Sequence, residues 1–99
     1  MTRHELLAWL GTRRPEPPAD LRAHLDAAVA DGSEPLPQHL ARLGSELLGW
    51  VARHPEGGRE LALDLLAADA FVTYAFEAQA EADVAGLALL AQAVTGGKA

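Results

Sequence analysis

Asp69, Thr73, Glu77 and Glu81 recur at intervals of four, so they share one face wherever their segment is helical. Carboxylates at that spacing can hold a divalent cation, and metal sites inside helical bundles are built from inward-facing glutamates. The partner motif of a di-metal carboxylate centre is missing, because no Glu-x-x-His pair occurs and no histidine follows His54. A solvated polar stripe is therefore the expected state of these acids. The alternative is a small metal- or ligand-binding bundle that uses Asp69, Glu77, Glu81 and one or more histidines.

Asp69 raises a second question. On a helical wheel it falls beside Leu65, Val72 and Phe76, the most apolar arc of its segment. A lone carboxylate there must find a hydrogen-bond or charge partner, or else take up a proton. Asp69 is thus a polar-in-core candidate, expected either to pair with Arg42 or Arg22 of a neighbouring helix or to be exposed at a bend. Its functional counterpart is an acid of raised pKa or a charged anchor for another molecule.

The four histidines, His4, His24, His39 and His54, lie on or at the ends of different segments. No two are four apart, and neither cysteine nor an H-E-x-x-H pattern supports them as metal ligands. Capping and surface roles are expected, His54 sitting before a proline where a helix C-terminus favours a protonated imidazole. Ser33 and Ser45 are the only serines, and neither lies in a G-x-S-x-G elbow; Ser45, within a helix and flanked by Gly44, reads as a close-packing position. Gly57-Gly58 lacks the surroundings of a phosphate loop. No catalytic residue, metal or cofactor is assigned, and the chain reads as non-enzymatic.

The elements that must carry these residues are helical. Thr2 and Glu5 form a T-x-x-E capping box ahead of Leu6, Leu7, Trp9 and Leu10, with Gly11 as a left-handed stop. Residues Thr12 to Pro18 hold Arg13, Arg14 and three prolines, which predicts an extended connection that is the most exposed and most basic spot on the protein. Pro18 can open a second helix, with Leu21, Leu25 and Ala28 at helical spacing and an end near Ala30. Leu36, Leu40, Leu43, Leu47 and Trp50 follow a 4-3-4-3 rhythm that predicts a third helix, closed by His54-Pro55 and Gly57-Gly58. A long fourth helix starts near Gly58; a break at Glu81 to Asp83 is expected, with Asp83 as N-cap of a last helix over Val84 to Val94 and a fraying tail from Thr95 to Ala99. No β-branched run or Asn-Gly turn predicts a strand.

Length and charge bound the rest. Ninety-nine residues make one domain with one core, 1–99. Alanine and leucine dominate an apolar fraction of 49%, so the core should be thin, and loss of a buried tryptophan, Trp9 or Trp50, should cost ~3 to 5 kcal/mol. The six acids between Glu60 and Gly97 meet no basic residue and equal the whole net charge of −6. That balance, with a pI near 5.0, argues against nucleic acid as a partner, leaving a helix-turn-helix regulator as a remote reading. Absent Ile and Asn and one Lys against seven Arg fit a GC-rich bacterial genome, and the absence of cysteine fits a reducing cytoplasm. The N-terminus resembles neither a signal peptide nor an anchor, and Val84 to Val94 is short of the ~20 residues that span a bilayer.

Apart from Gly86 and Gln92, every residue from Val84 to Val94 is Ala, Leu or Val. A terminal helix normally shows one polar side to water, so this one is expected to be buried between subunits or against a partner helix, or else to thread through the bundle. Val84, Leu87, Leu90, Ala91 and Val94 are the interface candidates. The expected architecture is all-α: a compact bundle of four to five helices with the 58–81 helix central and the 36–53 helix packed on it. The expected function is self-association, as a dimer, or docking of another protein.

Overall fold

Thr2 opens the first helix through its own side chain: its hydroxyl accepts from the Glu5 N–H at 3.1 Å while the Glu5 carboxylate accepts from the Thr2 N–H at 2.8 Å. This reciprocal cap also holds the Glu5 carboxyl below its usual pKa, the Thr2 N–H bond being the largest cause. The computed structural model describes residues 1–96. Within them lie α1 (Arg3–Leu10), α2 (Ala19–Ala28), α3 (Leu36–Ala52), α4 (Arg59–Ala82) and α5 (Leu87–Val94), with no strand. A single 3₁₀ turn, Val84–Gly86, precedes α5, and the Asp83 side chain caps it by accepting from the Ala85 N–H at 3.1 Å. The predicted break at 81–83 is therefore real, and Asp83 is its cap. Gly11 differs from expectation: its φ of −63° is right-handed, and positive φ is found at Gly58, 71°, which turns the chain into α4, and at Gly96, 95°. Of the tail expected to fray, residues 97–99 lie outside the described residues.

α4 is central, with α2, α3 and α5 all lying against it. The Cα radius of gyration, 13.2 Å, matches the ~13 Å of a folded domain of about 100 residues rather than the ~30 Å of an unfolded one. The core joins Leu6 and Leu10 of α1, Leu25 of α2, Leu40 and Leu43 of α3, Phe71 of α4 and Leu90 of α5 in one cluster.

The buried face of α4 is not its most apolar arc. Ala67, Phe71, Ala75 and Ala78 are buried, whereas Leu61, Val72 and Phe76 are half-buried and Leu65 is exposed. The two faces are one residue out of step, about 100° around the helix. Close approach explains the choice. A Cβ at Gly44 of α3 would stand 3.1 Å from the Ala68 carbonyl oxygen and 3.2 Å from the Phe71 Cβ, so α3 and α4 meet backbone against backbone at this glycine. Small residues face the contact, and the larger ones are left to the flanks.

The α3 stripe is buried at Leu40 and Leu43, half-buried at Leu36 and Leu47, and exposed at Trp50. The Trp50 ring stacks on His54, with centroids 4.1 Å apart, beyond the core. Trp9 is half-buried and meets Tyr74 edge-on at 6.2 Å. Neither tryptophan is a core filler; Phe71 is the largest fully buried side chain.

Candidate docking surface

Asp69 is exposed, which corrects its reading as a polar residue in the core. It stands on the flank of α4 that faces away from the buried alanine stripe. Its expected partners are engaged elsewhere. Arg42 bonds Glu34 at 2.7 Å and Glu46 at 3.0 Å, and Arg22 bonds Asp26 at 2.6 Å. Asp69 makes no ion pair among the described residues.

The other acids of the C-terminal third are tied to the N-terminal half. Arg13 reaches Glu77 at 3.4 Å and Glu81 at 2.8 Å, and its guanidinium lies 4.0 Å over the Trp9 ring. The Thr12–Pro18 connection is mostly exposed, but Arg13 keeps only 15% of its side-chain exposure and is neutralised by acids, so of its two arginines only Arg14 stands open. His24 of α2 sits between two carboxylates of α4, its Nδ1 2.7 Å from Asp64 and its Nε2 3.0 Å from Glu60. Both ring nitrogens thus face acceptors, an arrangement that only the doubly protonated ring satisfies. The Asp64 hydrogen bond is the largest cause that raises the His24 pKa, with burial opposing it. The stripe Asp69–Glu81 consequently does not act as one site: its lower half is held by Arg13, and Asp69 stands apart. No cluster of three or more His, Asp or Glu with metal-binding geometry occurs among the described residues.

His39 corrects the expectation of surface histidines. It is fully buried, its Nε2 donates to the Ala30 carbonyl at 2.8 Å, and its Nδ1 has no partner. The bond ties the end of α2 to the start of α3. His54 behaves as expected at the end of α3, where its ring Nδ1 lies 2.7 Å from the Trp50 carbonyl.

The interface candidates separate by face. Leu90 is 1% exposed and belongs to the core, which corrects its reading as an interface residue. Leu87, Ala91 and Val94 are half-buried along α4, and Val84 is 65% exposed. The large apolar side chain left most open is Leu89, at 72%, which the sequence reading did not single out. Leucines 87 and 90 with Val94 form the inward stripe of α5, so its outward face consists of Ala88, Leu89 and Gln92, with the exposed Val84 and Ala85 of the 3₁₀ turn just before it. The helix lies on the surface of the bundle and does not thread through it.

Two apolar depressions flank α5. One is shallow and runs along α4 beside Phe76, Ala80, Leu87 and Ala88. The other, about 180 Å³, lies where α5 ends: Leu48 and Ser45 of α3 form one wall, Leu65, Asp69 and Val72 of α4 the other, and Val94 closes it. Its volume is below the ~300 to 1,000 Å³ of small-molecule sites, so it has room for a side chain or two of a larger partner. Leu48 and Leu65 are 50% and 47% exposed at its rim. No helix among the described residues is long and apolar enough to cross a membrane. No protein-family model, curated protein or solved structure matches the chain.

Proposed function

We propose that this chain is a non-enzymatic helical interaction module that associates with a second copy of itself through the outward face of α5. The observation that carries this reading is the exposure of Leu89 and Val84 on a segment, residues 84–94, that has no charged residue. An isologous contact places each residue near its own symmetry mate or close neighbours. A face without charge can be self-complementary in that way at no electrostatic cost, whereas the rest of an acidic surface cannot. Alanines at 85 and 88 let a second helix approach closely beside Leu89. The metal- or ligand-binding alternative has no comparable support, because Glu77 and Glu81 are shared by Arg13 while Asp69 and the histidines stand elsewhere.

Sedimentation equilibrium tests the proposal. The expected result is a concentration-dependent dimer that Leu89→Glu returns to monomer without loss of helical circular dichroism, since position 89 faces solvent within one chain. A clean monomer at high concentration for the unaltered chain would overturn it.

A further inference from the structure

We propose that the open end of the α3/α4 seam is a docking groove for an amphipathic helix of another protein that carries one lysine or arginine within its apolar face, set against Asp69. The seam already holds a helix. α5 packs on both α3 and α4 and ends at Val94, and among the described residues nothing covers the continuation of the seam lined by Leu48, Leu65 and Val72. The geometry that suits one helix therefore runs on beyond it, and grooves of this kind take apolar anchors spaced three and four apart.

Charge selects the occupant. Of the six acids in the C-terminal third, Glu60, Asp64, Glu77 and Glu81 have cationic or imidazole partners and Asp83 caps the 3₁₀ turn. Asp69, the sixth, borders the groove among apolar side chains and is unpaired among the described residues. Covering it with an apolar surface would strand a carboxylate away from water, which is costly without a partner. A second copy seated symmetrically on this groove would bring its own Asp69 towards the same axis, so this face differs from the neutral face of α5 and disfavours self-pairing. A helix bearing a single cation meets both demands: its apolar residues fill the space beside Leu48 and Leu65, and its cation pairs with Asp69 while Ser45 offers a hydroxyl at the rim.

The test is selection from a displayed library of short amphipathic helices in which one position of the apolar face is fully randomised. The bait is the full chain carrying Leu89→Glu, so that self-association through α5 does not interfere, and the parallel bait carries Asp69→Lys in addition. Lysine or arginine is expected at the randomised position with the first bait, and aspartate or glutamate with the second. A synthetic peptide from the first pool should lose about tenfold in affinity for the Asp69→Lys protein, the weight of one good ion pair at an interface. Its addition should move the backbone amide resonances of Ser45, Leu48, Leu65 and Val72. The proposal falls if no helix is selected, if the preferred residue is the same for both baits, or if the shifted resonances lie elsewhere. It falls as well if Lys98→Ala alone moves the Asp69 resonances, which would make the chain's own end the occupant, or if those resonances shift with protein concentration, which would make it a second copy. Because every bait lacks the α5 contact, these outcomes are separate from the failure of self-association.

Discussion

Gly44 and Gly49 lie in the same helix and make opposite demands on a side chain. A methyl group at Gly44 would press on the Ala68 carbonyl and the Phe71 β-carbon, at 3.1 and 3.2 Å, both fixed to the α4 backbone. At Gly49 it would meet only the tip of the Arg53 side chain, at 3.4 Å, which can swing aside. Replacing a helical glycine by alanine gains about 0.5 to 1 kcal/mol from backbone entropy where space allows. Gly49→Ala is therefore expected to raise the unfolding free energy by that amount, read as a higher urea midpoint. Gly44→Ala should lower it, and Gly44→Leu should cost ~1 to 3 kcal/mol through overpacking. Equal effects at the two sites would mean that α3 and α4 do not touch at Gly44. The sequence reading placed the close contact one residue away, at Ser45, which is exposed; the glycine beside it is the residue that meets α4. For Asp69 the sequence offered both a solvated stripe and a place in the core, because a helical wheel ranks the faces of one helix and carries no information on which of them its neighbours will cover. His39 was missed for a related reason: the partner that makes its burial tolerable is a backbone carbonyl, that of Ala30, which no side-chain pattern announces.

Between elements, the contact of α2 with α4 includes a titratable clasp. His24 gains two carboxylate acceptors on folding, so its folded pKa lies above the ~6.5 of an unfolded chain. A group whose pKa is raised by folding binds protons more tightly in the native state. Its contribution is therefore complete below about pH 6.5 and is lost as pH rises through the folded value. Urea unfolding of the unaltered chain should show stability falling from slightly acidic to slightly alkaline pH. His24→Gln should flatten that slope, and Asp64→Asn should flatten most of it, since Asp64 is the largest cause of the shift and Glu60 is mostly exposed. A slope that survives His24→Gln would place its origin elsewhere. The helices themselves were legible because their signals are local: a capping box at Thr2, a stripe in α3, an acid at 83. The pairing of His24 with Asp64 was not, because the two stand forty positions apart on helices whose mutual rotation is set by alanines, and the apolar arc gave that rotation wrongly by one residue.

Across the whole molecule, charge and packing divide the labour. The C-terminal third carries all of the net charge, yet Arg13, His24 and Arg59 reach across to the opposite half of the chain, Arg59 bonding Asp20 at 2.6 Å. The Arg59–Asp20 pair is exposed on both sides and contributes ~0 to 1 kcal/mol, screened by salt, whereas Arg13 and the His24–Asp64 pair are largely covered and less screened. Cohesion rests on the cluster that takes a residue from every helix around Phe71. Because that cluster is continuous from Leu6 to Leu90, the five helices should unfold as one body. Circular dichroism and the fluorescence of Trp9, measured in a Trp50→Phe background, should report coincident transitions. Phe71→Ala should remove ~3 to 5 kcal/mol, and as a chain of this size is stable by only ~5 to 15 kcal/mol, the loss should reach α1 and α5 together although they lie at opposite ends of the sequence. A variant in which the Trp9 signal is lost while α5 stays folded, read by protection of the Leu90 amide from hydrogen exchange, would show that the bundle is two cooperative pieces joined through α4.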